Sequence, residues 1–189
     1  MWGLLQMKKL NLGSGSKPLP DCDNVESDLD LTAEFHFDIR DAKFPFENEM
    51  YDEIYMFHCI EHLEKRHHVS VLMEIRRVLK PEGLFLFSYP DFEKIIKNWQ
   101  ENHRGQRDFW EATIYGRQAY PGDYHVSAIY TDYIRQLLFD VGFHEITFTP
   151  EPNGQEFNTV VDCRRGNASL SYEKLLFNEV YAVQNYVKV

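Results

Sequence analysis

No stretch of this sequence approaches the ~20 consecutive apolar residues that a membrane-spanning helix needs. The one apolar patch near the start, Trp2 to Leu5, is too short for a signal peptide and runs into Lys8 and Lys9. Cysteine is scarce: Cys22, Cys59 and Cys163 are an odd number, far apart, which excludes a disulfide framework and implies reduced thiols in a cytoplasmic setting. There is no internal repeat and no low-complexity tract, which excludes a solenoid. What is present is ample for a packed core: 189 residues, 43% hydrophobic and 15% aromatic, the length of one domain with a small appendage.

Basic residues are also in deficit, 20 Lys+Arg against 30 Asp+Glu. The deficit is local. Residues 21–53 hold twelve acids and only two bases, Arg40 and Lys43, while the rest of the chain balances at 18 of each. A solvated acidic face explains such a stretch; so does a site that attracts a cationic or polyhydroxylated ligand. Since the remainder is neutral, a nucleic-acid partner is not excluded by the net charge of −10.

Pattern and punctuation predict alternating strands and helices. Lys8–Leu12 reads as a strand that enters Gly13-Ser14-Gly15, and 24–29 as a weaker one. Glu34–Ile39, with Phe35, Phe37 and Ile39 at period two, reads as half-buried, and Asp52–Phe57 as a buried strand. Apolar positions from Val69 to Leu79 recur near period 3.6, predicting a helix over about 63–79 stopped by Pro81 and Gly83. Leu84–Tyr89 is the next strand. Helices follow over about 92–101 and 131–141, the latter ended by Gly142. Strands at His144–Thr149 and Asn158–Arg164 close the sheet as an antiparallel pair. Residues 167–189 form an amphipathic helix candidate whose apolar face, Leu170 to Val187, calls for a partner in cis or in a homodimer. The fold class expected is α/β: a doubly wound, mostly parallel, Rossmann-like sheet of about seven strands with an antiparallel edge.

In such a sheet ligands bind beyond the carboxyl ends of the strands, so residues at successive strand ends share one crevice. Gly13 and Gly15 follow strand one, and let the backbone approach a ligand closely. Glu26 and Asp28 follow strand two, Asp38 and Ile39 strand three, and His58 strand four. The glycine turn is not a phosphate-cradling loop, because Lys17 comes too soon, and it lacks the third glycine of the dinucleotide fingerprint. Thirteen positions separate Gly13 from Glu26, fewer than the ~20 of a dinucleotide-binding unit, so the first helix must be vestigial. A glycine turn, a ribose-binding acid and an acid for an amino-bearing base describe an adenosine-containing ligand without a phosphate clamp.

These segments resemble a class I S-adenosylmethionine-dependent methyltransferase. The resemblance rests on Leu10-Asn11-Leu12-Gly13-Ser14-Gly15, Asn24-Val25-Glu26, Asp38-Ile39-Arg40 with Phe44-Pro45-Phe46, His58-Cys59-Ile60-Glu61-His62-Leu63, and the Lys80-Pro81-Glu82-Gly83 turn common in the type 11-like branch. It is similar to a group of small methyltransferases whose chain begins almost at the glycine strand. The resemblance implies a methyltransferase domain over 1–166, an aromatic lid insertion at about 91–130 and a helical tail over 167–189. It implies S-adenosylmethionine as cofactor, with Gly13, Ser14 and Gly15 beside its methionine part, Glu26 or Asp28 on the ribose, Asp38 and Ile39 at the adenine, and His58 bordering the sulfonium. Asn11 departs from the acid that many relatives carry there.

The segment 91–130 is rich in aromatics and close to charge balance, and reads as either a cover for the sheet edge or a substrate lid. In the second reading Tyr115 and Arg117 surround the acceptor and His125 is the catalytic base, since imidazole titrates near neutral pH. The acceptor would be a small molecule offering an oxygen or nitrogen nucleophile. Two rivals stand beside this. One is a cofactor-binding pseudoenzyme or assembly module. The other is a zinc peptidase, because His58–His62 fits His-x-x-Glu-His. That chemistry needs the pentad on one helix, whereas His58 falls at a strand end, so no metal-binding residues are expected. His62 reads as a capping or packing residue, His67 and His68 as a solvated loop or helix start, and Cys59 as a small buried apolar residue.

Overall fold

The computed structural model describes residues 7–41, 43–102, 106–120, 122–152 and 154–167. Val69, Leu72, Ile75 and Val78 stand three apart and are all fully buried, which makes one face of helix α1, Lys65–Val78. That face packs on a seven-stranded sheet made of β1 (Lys9–Leu12), β2 (Asp23–Glu26), β3 (Phe35–His36), β4 (Tyr51–Phe57), β5 (Leu79–Pro90), β6 (Phe143–Pro150) and β7 (Asn158–Arg165). Spatial order is β3-β2-β1-β4-β5-β7-β6. β1 to β5 pair in parallel, and β7 runs antiparallel between β5 and β6. The strand order reverses between β1 and β4, where an α/β sheet opens a crevice at its carboxyl edge. Helices α2 (Phe92–Asn102), α3 (Arg107–Tyr115) and α4 (Thr131–Val141) follow β5.

The α/β class, the mostly parallel sheet and the antiparallel pairing at its end are as the sequence predicts, and α4 matches residue for residue. Several elements differ. β2 and β3 are shorter than expected, with β3 only two residues long. Among the described residues no helix lies between β1 and β4, so the vestigial first helix is in fact a loop. Its covering role falls to an aromatic cluster: Phe35 packs edge-on to Phe46 at 5.0 Å, Phe37 on Phe44 at 5.5 Å, and Phe46 on Tyr51 at 5.3 Å. Arg77 on α1 ties that cluster down by donating to the carbonyls of Phe46 (2.8 Å) and Phe44 (3.1 Å). The neighbouring Glu74 accepts the Phe44 N–H at 2.7 Å.

The helix before β5 ends at Val78, within a residue of the expected end, but the strand begins at Leu79 and not at Leu84. Pro81 bars Lys80 from helical backbone, and the chain passes directly into β5 with a register shift opposite Tyr51 and Glu53. Helix α3 was not predicted. Its Trp110 packs with Ile95 of α2 and Phe157, making a small second core over the sheet's end. Asp91 starts α2 by accepting the Glu93 N–H at 3.1 Å, and also receives the Thr131 hydroxyl at 2.8 Å, which ties α2 to α4. His68 is fully buried, correcting its reading as solvated: its ring bonds to the Tyr133 hydroxyl (2.8 Å) and the Leu63 carbonyl (3.0 Å), and burial lowers its pKa to about 4. The expected helix over Leu170–Val187 lies outside the described residues. No helix among the described residues is long and apolar enough to cross a membrane.

Candidate functional site

At the end of β1 the backbone turns at Gly13 with φ +66°, a left-handed conformation that costs a side-chain-bearing residue roughly 1–2 kcal/mol. A Cβ there would also meet Cys59 Sγ at 2.7 Å, so the turn is closed by the second residue after β4 as well as by conformation. The Ser14 N–H donates to Val25 O at 3.0 Å, and the Gly15 N–H donates to Glu26 Oε2 at 2.7 Å. The other Glu26 oxygen accepts the N–H groups of Ser27 (2.8 Å) and Asp28 (3.2 Å). Glu26, the last residue of β2, thus fixes both loops at the switch point. Asp28 lies in the exposed loop and accepts the Asp30 N–H at 2.9 Å.

Asn11 does not reach the crevice as an acid would. It is buried and donates to Asn24 Oδ1 at 2.9 Å, binding β1 to β2. Past β3, Asp38 pairs with Arg40 Nη2 at 2.5 Å, and the guanidinium holds its carboxyl below the usual range. Ile39 beside it is buried.

His58 follows β4 with φ +47° and its N–H donates to Ser88 O at 3.0 Å. Its Nε2 is 2.9 Å from Glu151 Oε1, and Nδ1 is 3.4 Å from Glu61 Oε1. Burial pulls the His58 pKa down, but the attraction of the two carboxylates beside it outweighs that and raises it to about 9. At neutral pH His58 is therefore an imidazolium clamped between two acids, unable to accept a proton.

Gly13, Ser14, Gly15, Glu26, Asp28, Asp38, Ile39 and His58 all line one cleft of about 450 Å³, within the ordinary range for small-molecule sites. Arg117, Tyr120 and Gly122 also line it, together with Cys59 and His62. His62 accordingly walls the cleft and does not merely pack or cap. Tyr115 and His125 line a neighbouring hollow of about 180 Å³. The His125 ring meets the His62 ring edge to face at 4.9 Å, so His62 stands between the two cavities. Burial lowers the His125 pKa, and its Nδ1 bonds to the Thr113 carbonyl at 3.0 Å.

The acidic stretch needs correction. Of its twelve acids only Glu26, Asp28 and Asp38 line the cleft, where Lys17, Arg40, Arg117 and the His58 imidazolium offset them. Others are bound into the fold: Asp52 with Lys80 (2.8 Å), Glu53 with Lys9 (3.0 Å), Glu49 with Arg165 (2.9 Å), and Asp23 with the Tyr51 hydroxyl (2.8 Å). Strand pairing sends these side chains to the amino end of the sheet, away from the crevice. Sequence reasoning also missed Glu151 and Tyr120. Glu151 is 93 residues from His58, and no local pattern could join them.

A mostly parallel sheet reversing at β1 and β4, with an antiparallel β7 between β5 and β6 and a glycine turn and an acid at the ends of β1 and β2, resembles the fold of class I S-adenosylmethionine-dependent methyltransferases. The family model for the methyltransferase domain matches residues 22–87. Among solved structures, a SAM-dependent methyltransferase from Archaeoglobus fulgidus aligns with a TM-score of 0.60 at 9% identity, over 84% of this chain and 86% of that one. A chain from the complex between the Haloferax volcanii Trm112 methyltransferase activator and a methyltransferase gives 0.57 at 14%, over 86% and 84%. A SAM-dependent methyltransferase from Thermotoga maritima gives 0.56 at 14%, over 86% and 84%. At such identities the likeness is one of fold. No curated protein matches the sequence. The resemblance to class I S-adenosylmethionine-dependent methyltransferases therefore holds in both the fold and the matched segment, and supports methyl transfer in general.

Proposed function

We propose that this chain transfers a methyl group from S-adenosylmethionine to an oxygen or nitrogen of a small-molecule acceptor. The observation that carries the proposal is the convergence of the glycine turn, Glu26, Asp38–Ile39 and His58 on one cleft at the switch point. The residues fit that cofactor. At Gly15 nothing lies within 4 Å of where a Cβ would stand, and the buried Ser14 Oγ has no partner among the described residues. When bound, S-adenosylmethionine supplies an electrophilic methyl on a sulfonium.

In this reading Gly13, Ser14 and Gly15 hold the methionine portion, and Asp38 and Ile39 the adenine. Glu26 is favoured over Asp28 for the ribose hydroxyls, because it is fixed at the strand end while Asp28 sits in the exposed loop. His58, being cationic, is suited to carry charge beside the cofactor and not to act as base. Arg117 and Tyr120 would close the lid, with Tyr115 in the adjacent hollow toward the acceptor. His125, kept neutral by burial, is the group suited to take the acceptor's proton. The rate would depend chiefly on holding nucleophile, methyl carbon and sulfur in line.

Calorimetry with S-adenosylmethionine and S-adenosylhomocysteine tests binding: absence of affinity for both at millimolar concentration ends this reading. Turnover of labelled cofactor with a metabolite pool then separates an enzyme from a cofactor-binding pseudoenzyme.

A further inference from the structure

Glu61 is 1% exposed, yet neither of its carboxylate oxygens has a hydrogen-bond partner among the described residues; His58 Nδ1 lies 3.4 Å from Oε1. A buried carboxylate left in that condition is costly and calls for an explanation. One potential ligating atom from each of Glu61, His62 and His125 lies within 4.8 Å of the others. We propose that Glu61, His62 and His125 form a binding site for a divalent first-row transition-metal ion at the wall between the cleft and the adjoining hollow.

Three observations converge on it. The two imidazoles are already oriented as ligands: His62 bonds through Nδ1 to the Tyr124 carbonyl at 2.9 Å, and His125 through Nδ1 to the Thr113 carbonyl at 3.0 Å. A carbonyl only accepts, so each Nδ1 carries the proton and each Nε2 presents a bare lone pair. This is the outer-shell arrangement by which proteins fix metal-binding histidines. The carboxylate is buried and lacks hydrogen-bond partners among the described residues, with the His58 ring 3.4 Å from Oε1, so an ion would satisfy its unused oxygen lone pairs. Two imidazoles and one carboxylate also leave coordination positions open, and favour zinc, iron, cobalt or nickel over magnesium or calcium, which prefer all-oxygen sets.

The geometry needs only local adjustment. Ligand atoms about 2.0–2.1 Å from an ion are roughly 3.3 Å apart, so side-chain rotations that draw the three inward by up to about 1.5 Å complete the set. This ligand set differs from the His58–His62 pairing that the His-x-x-Glu-His spacing implies. His58 is held by Glu151 at the strand end, and the second histidine comes from 63 residues beyond His62. Glu61 and His62 belong to a 3₁₀ turn, Ile60–His62, whose Glu61 carbonyl accepts the N–H groups of Val126 (2.9 Å) and Ser127 (3.2 Å). These bonds keep the turn and the His125 segment together.

The use of the ion rests on the methyl-transfer reading. An acceptor hydroxyl bound at an open position would lose its proton to solvent; the resulting oxygen lone pair would form the new O–CH3 bond as the sulfur–carbon bond breaks. His125 would then be a ligand, with the ion replacing it as the means of activating the acceptor.

The test is titration of Co2+ into chelator-treated full-length protein, followed by its visible absorption bands. The inference expects saturation at one ion per chain. It also expects His125→Ala and His62→Ala to weaken binding at least tenfold, while His67→Ala, at a histidine outside the set, leaves it unchanged. Absence of saturable bands, or equal binding by wild type and His125→Ala, overturns it. Should His125→Ala not fold, wild-type histidine ring NMR decides: selective broadening of His62 and His125 by Co2+ supports the site, and broadening elsewhere overturns it. S-adenosylhomocysteine affinity is measured on the same chelated protein. Retained affinity without cobalt binding removes the metal site alone, and cobalt binding without affinity leaves the site standing while removing the proposed function.

Discussion

The Glu26 carboxylate accepts the Gly15 amide N–H at 2.7 Å across the loops that leave β2 and β1. One side chain therefore sets the shape of the glycine turn and also supplies the acid expected at the cofactor ribose.

Glu26→Gln should weaken S-adenosylhomocysteine binding about 10- to 100-fold, because charge-assisted bonds of roughly 1.5–3 kcal/mol are exchanged for neutral ones. Asp28→Asn should change it less than about threefold. Calorimetry of the two variants checks this, and the reverse ranking would assign the ribose to Asp28.

Gly13→Ala should destabilise the fold by at least about 1–2 kcal/mol from its positive φ alone, with the Cys59 Sγ clash in addition. Removing the sulfur in Gly13→Ala/Cys59→Ala should recover part of the loss, roughly 1 kcal/mol, while the backbone penalty persists. Denaturant unfolding of the four proteins measures this coupling. Strict additivity would mean that Cys59 does not close the turn.

His58 gains carboxylate partners on folding, and its pKa rises from 6.5 to about 9. Its contribution to stability is therefore complete below pH 6.5 and is lost as pH climbs through about 9. His58→Gln should melt a few degrees below wild type at pH 6, and the two should converge by pH 10. Glu151→Gln should show the same trend. Melting curves that stay parallel across this range would mean that the ion pair contributes nothing.

Arg77→Ala removes the donors that hold the carbonyls of Phe44 and Phe46 and leaves Glu74 of α1 without its counter-ion. A loss of roughly 2–4 kcal/mol is expected, and Arg77→Lys should recover little of it because an ammonium cannot reproduce the fork. Chemical denaturation provides the measurement. Near-complete rescue by lysine would reduce the role of Arg77 to charge.

The part of this molecule legible in the sequence is the part written in local order. The strand before Gly13, the period of α1 and the cap at Gly142 all depend on neighbours within a turn or two. The acids and His58 at strand ends followed once the sheet was recognised as α/β. What stayed hidden depends on distant pairing. Glu151 reaches His58 only because β7 inserts beside β5 and brings the β6–β7 turn over the crevice. His125 meets His62 only because the segment after α3 folds back on the Glu61 carbonyl. α3 was obscured because its aromatics, Phe109, Trp110 and Tyr115, suited an irregular cover as well as a helix face. The acidic run misled for a related reason: spacing reveals charge density, but the strand register decides which end of the sheet receives each side chain.

The two ends of the sheet carry a final consequence, for how molecules behave beside one another. β3 offers only two residues of ladder, and β6 departs from its register between His144 and Thr147, where Glu145 adopts φ +51°, before ending at Pro150. A short outer strand at one side, and a kinked, proline-terminated one at the other, give an incoming strand little continuous backbone with which to pair. The sheet is blunted against growth from chain to chain, a protection against fibre-like association that is independent of the site chemistry.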